Sequence, residues 1–242
     1  MPESELFVTK FFNDYLAGAG NALIGLVGKP AVERPWADFV VMQIVVALLL
    51  VIAVALLRPR LSSDRPGALQ QFFELIYGFI NQQTEEQVGH GGHKFFAYFG
   101  TIFIFILTCN LIGLVPCFES PTMNASVTCG CALATFFYYH LVGIQANGFA
   151  YIKHFLGPMW WLAWLMFPIE IVSHLARPLS LTVRLYANMF AGEQVTMVFL
   201  KLTLFAVPVV FMGLHLFVGA LQAYIFMLLT MVYVSSAAAH EH

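Results

Sequence analysis

The chain has 242 residues, of which 60% are hydrophobic and 10% charged, with a mean hydropathy of +0.80. Soluble domains carry about 25% charged residues, so this composition excludes an ordinary soluble enzyme, a disordered chain and a nucleic-acid binder, which needs a basic surface. The net charge of −2 says nothing about partners, but after residue 94 the only charged residues are Glu119, Lys153, Glu170, Arg177, Arg184, Glu193, Lys201 and Glu241.

A stretch that poor in charge cannot face water all round, and the chain reads as an all-α polytopic membrane protein. Residues 1–36 form an N-terminal segment, interfacial or outside. Their early acidic residues and the lack of a basic-then-apolar layout speak against a signal peptide. Residues 37–242 read as a single membrane domain. Its first span is 37–57, since about 20 apolar residues cross a bilayer. Trp36 precedes this span, with Asp38 at its interfacial end, and Arg58, Arg60 and Arg65 follow it. Those arginines mark the cytoplasmic side, which places the N-terminus outside.

Residues 66–88 are too polar to span. Leu69, Phe72, Phe73, Ile76, Phe79 and Ile80 recur at three- and four-residue spacing with Gln70, Glu74, Asn81 and Glu85 between them, which predicts an amphipathic helix on the inner surface. His90 and His93 in the following glycine loop read as part of a turn rather than a metal site. A second span covers 95–116, interrupted by Asn110 and Gly113. A turn at Glu119–Pro121 leads to a third span, 123–145, carrying Thr128 and His140. Lys153 and His154 then fall inside, and Trp160, Trp161 and Trp164 suit the interface. Cys109, Cys117, Cys129 and Cys131 read as packing residues, with a metal site or disulfide as the other reading.

Segments 167–200 and 204–235 are each long enough to reach roughly 48 Å as helices, against a hydrocarbon core of about 30 Å. They predict a long, strongly tilted helical hairpin with its C-terminus cytoplasmic, and Pro178 and Pro208 are available as kink points. On the first of these helices Glu170, His174, Arg177, Arg184 and Asn188 fall within about an 80° sector. Arg177 can snorkel to the inner interface, whereas Arg184 is surrounded by apolar residues. An arginine at mid-membrane costs about 2.5–3.5 kcal/mol, so a functional role for Arg184 outweighs a structural ion pair. On the second helix, His215 and Gln222 lie seven apart and share a face. One antiparallel register, turning near 202–204, sets Arg184 level with Gln222 and Glu193 level with His215, about 13 Å apart. A guanidinium–amide pair and a protonatable carboxylate–imidazole pair suit ion translocation.

The run from Pro168 to Glu193, PIEIVSHLARPLSLTVRLYANMFAGE, resembles the signature of subunit a of F-type ATP synthases. Leu221–Thr230, Asn110–Pro116 and Glu74–Asn81 are similar to the family in the last helix and further upstream. Glu193 is similar to bacterial and plastid members, and Ala187 stands where the family often has Gly.

The resemblance implies a proton-transporting stator subunit, not an enzyme by itself, that forms two offset half-channels against a rotating c-subunit ring. It implies Arg184 as the essential fixed cation and Gln222 as its partner. Asn188, Glu193 and His215 would line the outer half-channel with Asn110, while Glu170, Ser173 and His174 belong to the inner one. It also implies a b-subunit peripheral stalk as partner, no cofactor and no metal, and a bacterial plasma membrane or an energy-transducing organelle membrane. An ion-coupled secondary transporter is the alternative, although no internal repeat is visible. An intramembrane metalloenzyme would need His140, His174 and His215 to converge with a carboxylate.

Overall fold

The structure is a computed structural model that describes residues 6–26, 30–60, 67–89, 91–115, 118–148, 151, 163–202 and 206–238. Arg65, His90, Pro116, Cys117, Lys153, His154, Trp160, Trp161, Leu204 and Glu241 lie outside the described residues, as do the starts of both the predicted surface helix and the last predicted segment. Among the described residues there are seven α-helices and no strand. They are α1 (Phe7–Leu26), α2 (Asp38–Leu57), α3 (Ala68–Val88), α4 (Phe96–Ile112), α5 (Ala125–Asn147), α6 (Ala163–Leu202) and α7 (Ala206–Ala238).

α2, α5 and α7 are long and apolar enough to cross a membrane. α2 is apolar except for Gln43 and for Asp38 in its first turn, where the helix dipole favours an acid. Val41, Met42 and Val46 are buried, while Leu48, Leu49, Val51, Ile52, Val54 and Leu56 stay exposed, as lipid contact requires. α5 starts at Asn124, whose side chain accepts the Ser126 N–H at 3.0 Å. It ends at Gly148, which has a φ of +56° that favours glycine.

α4 has 17 residues, shorter than the predicted 95–116. The cause lies in the following loop, whose Ser120 packs so tightly on Gly113 that a Cβ there would fall 2.8 Å from it. Ser120 Oγ also donates to the Cys109 carbonyl at 2.8 Å, taking up one of the orphan acceptors of the last turn. Cys109 and Cys131 are buried free thiols and Cys129 is a half-buried one.

α3 is amphipathic as predicted, but its apolar face divides. Ile80 is buried against α4 and α7 together with Gln70 and Thr84, whereas Leu69, Phe72, Leu75 and Phe79 remain exposed. Its polar face is laced by i,i+4 hydrogen bonds, Gln70 to Glu74, Asn81 to Glu85 and Gln82 to Glu86, at 2.7–2.9 Å.

α7 is the hub, packing against α3, α4, α5 and α6. Ala223, Phe226, Met227, Met231 and Val234 on it are fully buried. α6 runs as one helix of 40 residues through Pro168 and Pro178, a length of about 60 Å. α7 has 33 residues, and its Pro208 sits in the first turn, where no backbone N–H is missed. Neither Pro178 nor Pro208 breaks its helix. The two helices form the predicted hairpin, each longer than a hydrocarbon core is thick. Trp164 near the start of α6 is exposed.

α1 is a helix in the N-terminal segment that composition alone did not indicate. Asparagine side chains fold the following stretch back against it.

Candidate functional site

Polar side chains gather at three levels along the α6–α7 hairpin. At the end away from the hairpin turn, Glu170 Oε1 and His174 Nε2 are 3.2 Å apart across one turn of α6. The other imidazole nitrogen, Nδ1, lies 2.9 Å from the Tyr139 hydroxyl on α5. The His140 ring lies tilted, 5.0 Å from that of His174, and its Nδ1 meets the Tyr151 hydroxyl at 2.9 Å. Arg177 does not snorkel freely. Its guanidinium lies 5.7 Å from the Tyr139 ring centroid and 5.1 Å from that of Tyr233, a cation–π cage closed by α5 and α7. Ser173 is exposed beside His174.

The middle level holds Arg184, Asn188 and Gln222. Gln222 is buried, and its Oε1 accepts from Asn188 Nδ2 at 2.9 Å. The predicted Arg184–Gln222 pair is therefore displaced by one turn of α6, because residues four apart share a face and compete for the same partner. Gln222 Nε2 is buried without a hydrogen bond among the described residues. Arg184 is exposed, and no ion pair or hydrogen bond engages it among the described residues. On the same open face Ala187 and Ala191 lie beside it, and the exposed polar side chains of Ser180 and Asn188 flank it one turn to either side.

The third level, toward the turn, holds Glu193 and His215. His215 is buried and sits directly over Gly192, where a Cβ would collide with Nδ1. No ion pair joins His215 to Glu193 among the described residues, so the predicted carboxylate–imidazole pair is replaced by imidazole packing on the neighbouring glycine. Asn110 joins this region to α7. It donates from Nδ2 to the Gly219 carbonyl at 2.9 Å and accepts the Thr122 hydroxyl at 2.7 Å. Ser120 Oγ lies 2.7 Å from the same Thr122 oxygen.

The five-residue stripe predicted on α6 thus has two environments. Its Glu170–Arg177 half is covered by α5 and Tyr233, and its Arg184–Asn188 half is open. Tyr139, Tyr151, Tyr233, Ser120 and Thr122 were missed. The Tyr138-Tyr139-His140 run inside an apolar span was the available signal. His215 lies two levels away from His140 and His174, so the three histidines do not converge on one metal.

Glu170 and Glu193 are 23 residues apart on one helix, about 35 Å, with Arg184 between them. An all-helical bundle with two such polar clusters and an uncompensated arginine on an open helix face defines a polytopic integral membrane protein built around ionisable groups. A family model described as ATP synthase A chain matches residues 39–235. ATP synthase subunit a of Solibacter usitatus is 68% identical over 232 residues, covering 96% of this chain and 100% of the relative. The Koribacter versatilis protein of the same name is 49% identical over 241 residues, 98% of each chain. That of Geobacter sulfurreducens is 41% identical over 219 residues, 90% of this chain and 92% of the relative. The chain belongs to the ATP synthase A chain family.

Proposed function

We propose that the chain is the proton-translocating stator subunit of a rotary ATP synthase, a single membrane domain over 37–242 that carries two half-channels and holds Arg184 against a ring of c subunits. The observation that carries this reading is the open face of α6, where one arginine without an ion-pair or hydrogen-bond partner among the described residues stands beside Ala187 and Ala191, flanked by Ser180 and Asn188. A charge presented to lipid is costly, so a face of this kind calls for a partner with an opposite charge at the same depth. A carboxylate on a passing helix meets that need, and Ala187 and Ala191 let its backbone come close.

With the hairpin turn outside, protons arrive past Glu193 and His215 and neutralise a ring carboxylate, which then faces lipid. The carboxyl group returns to Arg184 from the other side, where the fixed cation lowers its pKa and expels the proton. The proton leaves inward past His174, Glu170 and Ser173. Asn188 orients Gln222, whose free Nε2–H donates to the ring carboxylate rather than to the arginine, leaving the positive charge of Arg184 undiminished. The same charge repels a hydrated proton and keeps the half-channels from joining. One pKa unit is about 1.36 kcal/mol, and one charge crossing 100 mV is about 2.3 kcal/mol. Shifts of a few units therefore bias loading and release without trapping the proton. The b-subunit stalk, which would keep the chain from turning with the ring, and the bacterial plasma membrane belong to the same proposal.

The test is proximity. In the assembled complex, cysteines at Ala187 and Ala191 should crosslink to cysteines flanking the ring carboxylate, and cysteines at buried Leu185 and Met189 should not. Crosslinking from the buried pair alone would overturn the assignment of this face.

A further inference from the structure

The family match begins at residue 39, yet the residues before it are tied firmly into the fold. Asn13 of α1 grips the backbone of Trp36 at two points, donating to its carbonyl at 3.2 Å and accepting its N–H at 3.0 Å. Asn21 grips Val32 in the same way, at 3.1 and 3.0 Å. α1 kinks at Leu16 (φ −117°, ψ 15°), whose carbonyl accepts the Trp36 indole N–H at 2.9 Å. Phe12 meets the Trp36 ring edge-on, with centroids 5.9 Å apart. Gly20 permits the approach, because a Cβ there would come within 2.7 Å of the Pro35 ring. Two asparagine clamps and an indole bond make α1 and residues 30–37 one clasp.

The clasp is built with its polar side inward. Thr9 and Asn13, four residues apart, are buried on it. Phe7, Phe11 and Tyr15 share that four-residue spacing but lie about 180° away around the helix, and they are 84%, 52% and 76% exposed. Phe11 and Tyr15 rest against each other, with ring centroids 4.8 Å apart. A helix between protein and water has the reverse order, apolar inward and polar outward. Three rings turned away from the protein therefore call for an apolar covering. The clasp closes on Trp36, two residues before α2 begins at Asp38, and α2 presents Leu48, Val51, Ile52 and Val54 outward along its length. α1 is thus held at the level where a lipid-facing span begins, and its outward rings are of the kind found at membrane interfaces. Its charged residues are Lys10 and Asp14, one of each sign, so the helix offers little to select an acidic surface or a charged partner.

We propose that α1 is an interfacial lipid anchor, with Phe7, Phe11 and Tyr15 inserted at the boundary of headgroups and acyl chains in the leaflet where α2 begins. Insertion of this kind is driven by apolar area and reaches about 5–10 Å into that boundary. The clasp carries the depth of α1 to Trp36 and so to the start of α2. The anchor stands apart from the stator reading, since no proton transfer passes through it.

The experiment places the whole complex in phosphatidylcholine vesicles doped with a phospholipid that carries a photoactivatable diazirine on its acyl chain. Adducts formed on irradiation are mapped by mass spectrometry. Phe7, Phe11 and Tyr15 should be labelled together with Val51, Ile52 and Val54 on the exposed face of α2, and buried Thr9 and Asn13 should not. Adding phosphatidylglycerol should leave the pattern unchanged. Adducts on α2 with none on the aromatic face of α1 would overturn the anchor, whether water or another subunit covers that face. Adducts on α1 that form only with phosphatidylglycerol present would overturn it too. In a second arm, Phe11→Ser combined with Tyr15→Ser should lower labelling at Phe7 about tenfold while α2 stays labelled, because each ring buried in an apolar medium favours the inserted state by about tenfold or more. Labelling at Phe7 that survives the double substitution would contradict the proposal.

Discussion

His215 and Gly192 show how a single missing methyl positions a protonatable group. The imidazole occupies the space that a side chain at 192 would take. Gly192→Ala should therefore push His215 aside, lower stability by about 1–3 kcal/mol as other overpacked sites do, and slow proton uptake. Thermal unfolding of the purified complex and vesicle acidification measure the two effects. Gln222 gives a sharper separation. Its Oε1 is bonded to Asn188 while its Nε2 is buried without a partner, so Gln222→Leu removes a bond and an unpaired donor together and should leave stability nearly unchanged. Pumping should nevertheless fall about tenfold, the equivalent of one hydrogen bond of about 1.5 kcal/mol to a charged group. A Gln222→Leu complex that pumps at the wild-type rate would reduce the amide to a packing role. Sequence spacing was a reliable guide here for partners on one helix, as with Glu170 and His174. It was a turn out for Gln222, because positions 184 and 188 share a face and only three-dimensional packing chooses between them.

Helix positions were legible wherever apolar length set them. The predicted 37–57 and 123–145 spans differ from α2 and α5 by two residues or fewer at either end. α4 stops early because Ser120 and Thr122 return to bond its last turn and Asn110, a contact made by residues ten or more positions downstream. α1 escaped notice for the same reason, since its clamps reach 11 and 23 residues along the chain. The hairpin register yields a direct check. Paired cysteines at Asn188 and Gln222 should crosslink faster than a pair at Asn188 and His215, which are about 10 Å further apart along the axis. Equal rates would place the register elsewhere.

For the molecule as a whole, the decisive feature is the spacing of the three levels along α6. Glu170 and Glu193 stand about 35 Å apart, further than a hydrocarbon core is thick, so neither cluster alone connects the two sides of a membrane. Arg184 sits between them on an open face. Charge scarcity in the sequence pointed to these residues. It gave no sign that Arg177 would be caged by Tyr139 and Tyr233 while Arg184 stayed without a partner, because the cage draws on three helices distant in sequence. That contrast between two arginines seven residues apart is the basis for assigning Arg184 the coupling role. The most direct measurement is ATP-driven acidification of vesicles carrying the complex with Arg184→Ala, at wild-type levels of assembly. Driven pumping should fall to background while passive proton leak stays equal to wild type or rises. Driven pumping retained by that complex would contradict the central role of Arg184.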